Sequence, residues 1–247
     1  MQGAPFTYNP QDLLLGIRSA GSAYDLVVDI GPASYYYNAS PGGIFNVNNY
    51  SSSQVTSVFG GLSGLSFSVF GDVRTAGNAT YPLNTLWVTQ ARTDITTQTS
   101  PWNRQSTFSQ GNPGAKIDGI ANGALTFSGT IPADPGTNTA SSVTIPKTWN
   151  ASGIAYSVGI GSGNLAGTFQ GSIENTTPSG FESSGSPVIS DLYQVKPGSG
   201  SSDFLGYFQL GTDGSLKFYS VPEPAVATLV CGALVVLGLR RSSRQRQ

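Results

Sequence analysis

Reactive chemistry in this chain falls to carboxylates, hydroxyls and aromatic rings. Histidine is absent, and the only cysteine is Cys231. Without imidazole, and with one thiol near the end of the chain, Ser-His-Asp triads, Cys-His nucleophiles and Cys/His zinc sites are excluded. No cofactor and no metal are expected. Asp25 and Asp29 lie four apart in YDLVVDI, so on a strand they share one face. Paired carboxylates can exchange protons with a substrate or hold calcium. No D-x-D-x-D-G loop surrounds them. The plainer reading has them flanking a strand, meeting solvent or accepting turn donors. Asp213-Gly214 reads as a tight turn rather than half of a protease site.

Aromatic rings offer a second chemistry. Tyr35, Tyr36 and Tyr37 follow Gly31-Pro32. Three consecutive tyrosines cannot all face inward on a strand, so at least one is expected at the surface, where a ring could stack on a sugar. Trp87, Trp102 and Trp149 raise the same idea, but Trp87 lies mid-strand and reads as core. Asn38, Asn49, Asn78, Asn150 and Asn175 each begin an Asn-X-Ser/Thr triplet. A chain rich in Asn, Ser and Thr forms these by chance, and they agree with an exposed surface. The glycine pairs form no phosphate loop.

The elements that must position these residues are short. Gly accounts for 32 of 247 residues and only 10% are charged, against about 25% charged in ordinary domains. This composition favours turns and strands over long helices. Segments 12–18 (DLLLGIR), 24–30, 65–70, 85–90, 188–195 and 204–210 read as strands. Segments 124–127, 142–145, 153–158 and 165–170 carry a fainter strand pattern. GTDG at 211–214 predicts a hairpin between 204–210 and 215–220. Residues 53–60 predict a short helix, with apolar Val55, Val58 and Phe59 before Gly60-Gly61. Residues 102–110 and 116–121 predict a further turn or two, and no segment predicts a long amphipathic helix. The expected fold is all-β, an antiparallel β-sandwich or jelly roll with one or two short helices. Residues 1–220 form one domain in this reading, with 180–187 and 196–202 as surface loops.

Composition breaks at residue 221. From there the chain reads VPEPAVATLVCGALVVLGLRRSSRQRQ. Residues 225–239 carry no charge, and their 15 positions would span about 22 Å as a helix; counting from Pro222 gives about 27 Å, against a hydrocarbon core of about 30 Å. Ala225, Leu229, Leu234 and Leu239 stand along an expected transmembrane helix. Arg240, Arg241, Arg244 and Arg246 follow it, as basic residues do on the cytoplasmic side of a stop-transfer segment. That orientation places residues 1–220 outside the cytoplasm. Without the tail's four arginines and Glu223, the twelve basic and thirteen acidic residues fall to eight and twelve, a net charge of −4. Such a domain has no basic patch for nucleic acid.

The triplet Pro222-Glu223-Pro224, the apolar segment and the terminal arginines, in this order and spacing, resemble a PEP-CTERM sorting signal. More loosely, residues 1–220 resemble a group of proteins bearing such tails, through DLLLGIR, the LWVTQART…PWNRQS stretch at 86–106, and GYFQLGTDGSLKFYS at 206–220. That group supplies no activity to carry over. The resemblance implies recognition of Pro222, Glu223 and Pro224 by an integral-membrane exosortase. Cleavage near the triplet would then release the domain to the cell surface or the exopolysaccharide matrix. Local physics agrees, because Pro222 and Pro224 disfavour helix at the residues preceding them. Residues 1–21 lack the basic start and apolar core of a signal peptide, so the expected export signal is one missing from the start of this chain. The expected protein is exported and non-enzymatic, anchored in the inner membrane before processing. Its expected partners are the exosortase and exopolysaccharide. A secreted carbohydrate-binding module with Tyr35–Tyr37 as platform is the alternative. A glycoside hydrolase ranks third, because no carboxylate pair is singled out.

Overall fold

A computed structural model describes residues 5–75, 77–128 and 139–221. Among these residues ten strands run in chain order: β1 (Asp12–Ser19), β2 (Tyr24–Pro32), β3 (Ile44–Asn46), β4 (Leu65–Asp72), β5 (Leu86–Ala91), β6 (Ser142–Pro146), β7 (Asn175–Thr176), β8 (Val188–Val195), β9 (Asp203–Leu210) and β10 (Leu216–Ser220). Helices α1 (Ala33–Tyr37), α2 (Ser52–Phe59), α3 (Thr107–Ser128) and α4 (Tyr156–Ile160) connect them.

All strands belong to one antiparallel sheet, in the order β3-β10-β9-β8-β5-β4-β1-β2-β6, with β7 added beside β4. Six strand spacings separate β2 from β10, about 29 Å in a flat sheet. Yet Tyr36, just after β2, has its ring centroid 5.0 Å from that of Phe218 on β10. The sheet therefore rolls into a half-barrel. This corrects the sandwich expectation: one sheet curls over its own core, which α1 and α2 join, and α3 and α4 cover the opposite face.

Strand alternation feeds both faces. On β1, Leu13, Leu15 and Ile17 enter the inner core, whereas Leu14 enters the outer one. A strand buried on both sides reads as a continuous apolar run, which is why DLLLGIR is so greasy. Phe70, which interrupts the alternation of β4, belongs to the outer core and stacks on Tyr156 at 5.7 Å. Trp87 lies in the inner core, as its mid-strand position implies. The GTDG hairpin forms between β9 and β10, closed by Gly211 N–H donating to Ser215 O at 2.8 Å, with Gly214 at φ +77. Asp213 accepts from Ser215 N–H within that turn.

Three expectations require correction. Residues 124–127 lie in α3, a helix of 22 residues where only short turns were predicted. Its buried residues Ile117, Ile120, Ala121, Ala124 and Phe127 follow helical spacing. Small residues and Pro113 mask that stripe in the sequence. A local bond at its start and tertiary contacts hold the helix despite them: the Ser106 hydroxyl accepts from Ser109 N–H, and the Gln110 amide donates to Asn84 O and Val195 O. The glycines also serve packing, since a Cβ on Gly123 would stand 2.3 Å from Ile154 O. Segment 153–158 ends in α4 rather than a strand, because Asp25 accepts from Ser157 N–H in the first turn at 2.6 Å. Segment 165–170 is a series of turns, with Leu165 and Ala166 both at φ +54.

No helix among the described residues is long and apolar enough to cross a membrane. The expected sorting triplet, apolar span and arginines (Pro222 to Arg246) lie outside the described residues.

Candidate functional site

The three tyrosines fall on α1, which starts where Gly31 (φ +95) turns the chain out of β2. Steps of about 100° around a helix send the rings in three directions. Tyr36 points inward and is 7% exposed; its hydroxyl donates to Ile30 O at 2.7 Å, and burial together with the Asp29 charge raises its pKa. Tyr37 is 38% exposed and sets its edge against Tyr81, whose ring meets Trp87 in turn. Tyr35 is 71% exposed.

Around α1 lie three adjoining hollows. One, of about 470 Å³, runs between Tyr35 and the strand β3, over Ile44, Phe45, Asn46 and Asn48. A second of about 470 Å³ is bounded by Tyr36, Tyr37, Pro41, Phe204, Leu205 and Val221. A shallower one over Ser34, Tyr35 and Phe45 bridges them through Asn38, Ala39 and Ser40. Among the described residues, no Asp, Glu, Lys or Arg lines any of the three. The trough occupies the seam where the rolled sheet stays open, with β3 as one lip and α1 as the other. Ser220 pins its far end: the Ser220 hydroxyl donates to Ser40 O at 2.5 Å and accepts from Gly43 N–H at 3.0 Å.

Four other residues singled out by sequence make contacts within the fold: Trp102, Trp149, Asp25 and Asp29. Trp102 and Trp149 set ring edges on Phe169 and Phe127 at 5.1 Å each. Asp25 holds α4 through Ser157, and Asp29 accepts from Gly31 N–H at 2.8 Å, so the two carboxylates serve separate turns. Burial, with the nearby Asp12 charge adding to it, pushes the Asp29 carboxyl up to about 6. Asp72 and Asp118 both approach Arg74 Nε, at 3.8 and 2.9 Å, but the Asp72 side chain is buried at Gly114 of α3 rather than facing a cleft. Burial, then the Asp118 charge, push the Asp72 carboxyl up to about 8 against the pull of Arg74. Among the described residues, no group of three or more acidic side chains is placed to hold a metal ion.

An aromatic row that sequence reading missed crosses the outer face of β3, β10, β9 and β8. Ile44, Tyr219, Tyr207 and Asp191 are direct cross-strand neighbours. The Tyr207 and Tyr219 rings stack at 4.8 Å, and the Arg92 guanidinium lies 4.6 Å over Tyr207. Arg92 also pairs with Asp191, which accepts from Thr99 N–H and the Thr99 hydroxyl. The ring faces are turned on one another, so this row braces the sheet rather than offering a platform. Also missed in the sequence were Ile44, Phe45, Asn46 and Asn48. Their signal was the brief alternation IFNVN after Gly42-Gly43, too short to stand out.

Comparison with known protein families, curated proteins and solved structures finds no match to this chain.

Proposed function

We propose that this is an exported, non-enzymatic bacterial surface or matrix protein whose C-terminal segment is a PEP-CTERM sorting signal. In this reading residues 225–239 form a transmembrane helix that holds the precursor in the inner membrane. Arg240, Arg241, Arg244 and Arg246 fix its direction, and an exosortase recognises Pro222, Glu223 and Pro224. The observation that carries it is the triplet–apolar–arginine order, beginning two residues beyond the last strand. Support comes from the exit point: Ser220, the last residue of β10, is tied to the loop at 40–43, two positions before the triplet. A hydrolase draws less support, because Asp25 and Asp29 are each committed to a turn and Asp72 is buried.

The test is a mass measurement. The full precursor is produced in cells with and without an exosortase, and the C-terminal peptide of the surface-exposed product is identified. The expected product ends near Pro222–Pro224 only when the exosortase is present, and Glu223→Ala leaves most of the chain uncut in the membrane. An exported product that still ends at Gln247 would leave a plain anchor in place of a sorting signal.

A further inference from the structure

We propose that the trough along α1 and β3 binds a neutral glycan chain, with the Tyr35 ring as stacking surface and the Asn46 and Asn48 carboxamides as hydrogen-bonding groups. This makes the carbohydrate-binding alternative specific to one site, and it stands whether or not the tail is cut.

Four observations lead there. First, Tyr35 is 71% exposed, and its neighbour across the hollow, Ile44, is 62% exposed. Tyr36 and Tyr37 each meet protein rings, whereas no such contact engages Tyr35 among the described residues. An open ring face suits the apolar C–H face of a pyranose. Second, Asn46 and Asn48 are exposed residues on the lining of the same hollow. A carboxamide offers two donors and an acceptor side by side, which matches hydroxyls that both give and accept.

Third, among the described residues the lining holds no charged side chain; Lys217 on β10, the cross-strand partner of Asn46, is not part of it. A charged ligand would find no opposite charge within that lining, whereas a neutral polyol needs none. Each larger hollow, about 470 Å³, has the size of a small-molecule site, roughly 300–1,000 Å³. Fourth, the hollows run into one another, sharing Tyr35 and Phe45 at one junction and Asn38, Ala39 and Ser40 at the other. A trough of this form suits several linked units better than a single sugar. A peptide added as a strand is the obvious rival. However, β3 has only three residues, and so short an edge gives a visiting strand few hydrogen bonds.

The full chain, in a detergent without a sugar headgroup, is titrated by calorimetry with cello-, malto-, manno-, xylo- and chitohexaose, and with hexagalacturonate as charged control. At least one neutral hexasaccharide is expected to bind with Kd at or below ~1 mM, and hexagalacturonate at least about tenfold more weakly. Tyr35→Ala should weaken binding at least about tenfold, and Tyr35→Phe, which keeps the ring face, less than about threefold. The pair Asn46→Ala and Asn48→Ala should weaken it about fivefold or more. Tyr35 lies outside the core, so an unchanged melting temperature in Tyr35→Ala separates lost binding from lost folding. The proposal is overturned if no neutral hexasaccharide binds at ~10 mM, if binding ignores Tyr35→Ala, or if the charged sugar is preferred. Sedimentation provides the last arm: a dimer that Tyr35→Ala dissolves, without sugar binding, makes the trough a contact between copies and also overturns it.

Discussion

Gly16→Ala is expected to lower stability by about 3–5 kcal/mol, a large share of the ~5–15 kcal/mol that holds an ordinary domain together. Gly16 sits in the middle of β1, where a glycine normally weakens a strand. Its neighbour explains it: a Cβ there would stand 2.3 Å from Cε2 of Tyr156. That ring is fully buried and stacked on Phe70, so it has no room to withdraw. Its hydroxyl donates to Glu174 at 2.8 Å and shares a hydrogen bond with Ser68 at 2.8 Å. Glu174 in turn accepts two bonds from Arg18 on the same strand as Gly16, at 2.8 and 2.6 Å. Displacing the ring therefore costs about 1–3 kcal/mol in overpacking and a similar amount in broken buried hydrogen bonds. Gly21 is the control, with nothing within 4 Å of the position its Cβ would take; Gly21→Ala should change stability by less than about 0.5 kcal/mol. Urea unfolding of the three chains measures both. Equal midpoints for Gly16→Ala and the parent would mean that Tyr156 does not rest on β1.

The same glycine marks what could be read in the sequence. DLLLGIR announces a strand, because its apolar residues are needed on both faces. It does not announce the ring that requires glycine at its centre, since Tyr156 is 140 positions away and belongs to a segment that itself reads as a strand. Local pattern served well wherever neighbours in the chain are neighbours in space, as at the GTDG hairpin between β9 and β10. It failed where a distant group overrides the local preference. Residues 156–160 become helical because Asp25, on β2, accepts from Ser157 in the first turn. Helix α3 was hidden by glycines and a proline that look like punctuation, yet allow it to lie against residue 154 and the sheet.

The candidate site was half legible. A row of three tyrosines requires a surface member, and Tyr35 is that member. The opposing lip could not be read, because β3 joins β10 across more than 170 positions of sequence and contributes only three residues. Closure of the trough depends on how far one sheet rolls, which follows from the summed twist of many strands rather than from any motif. That is also why the expected two-sheet sandwich is a single rolled sheet.

Stability should fall as pH rises from about 4 to about 8, and Asp72→Asn should remove most of that fall. In the unfolded chain this carboxyl ionises near its ordinary value of 3.8, whereas in the fold burial and the Asp118 charge hold its proton until about 8. Between those values the unfolded state has released a proton that the folded state keeps, so rising pH favours unfolding; above about 8 both are ionised and the loss levels off. A shift of this size corresponds to about 3–5 kcal/mol after allowance for relaxation around the site. Asp29, raised to about 6, adds to the slope at its acidic end. Glu182 works the other way: hydrogen bonds from the Ser63 hydroxyl and Leu62 N–H lower it to about 2, so its contribution is present above its ordinary 4.5 and lost below. Maximum stability is therefore expected at about pH 4–5. Asp72→Asn should be more stable than the parent at pH 8. At pH 4 it should be equal or slightly less stable, because a buried amide then replaces a neutral acid of the same shape. Melting temperatures of both chains across pH 4–9 decide it. An unchanged slope in Asp72→Asn would place the titrating group elsewhere and leave Asp72 ionised against Arg74.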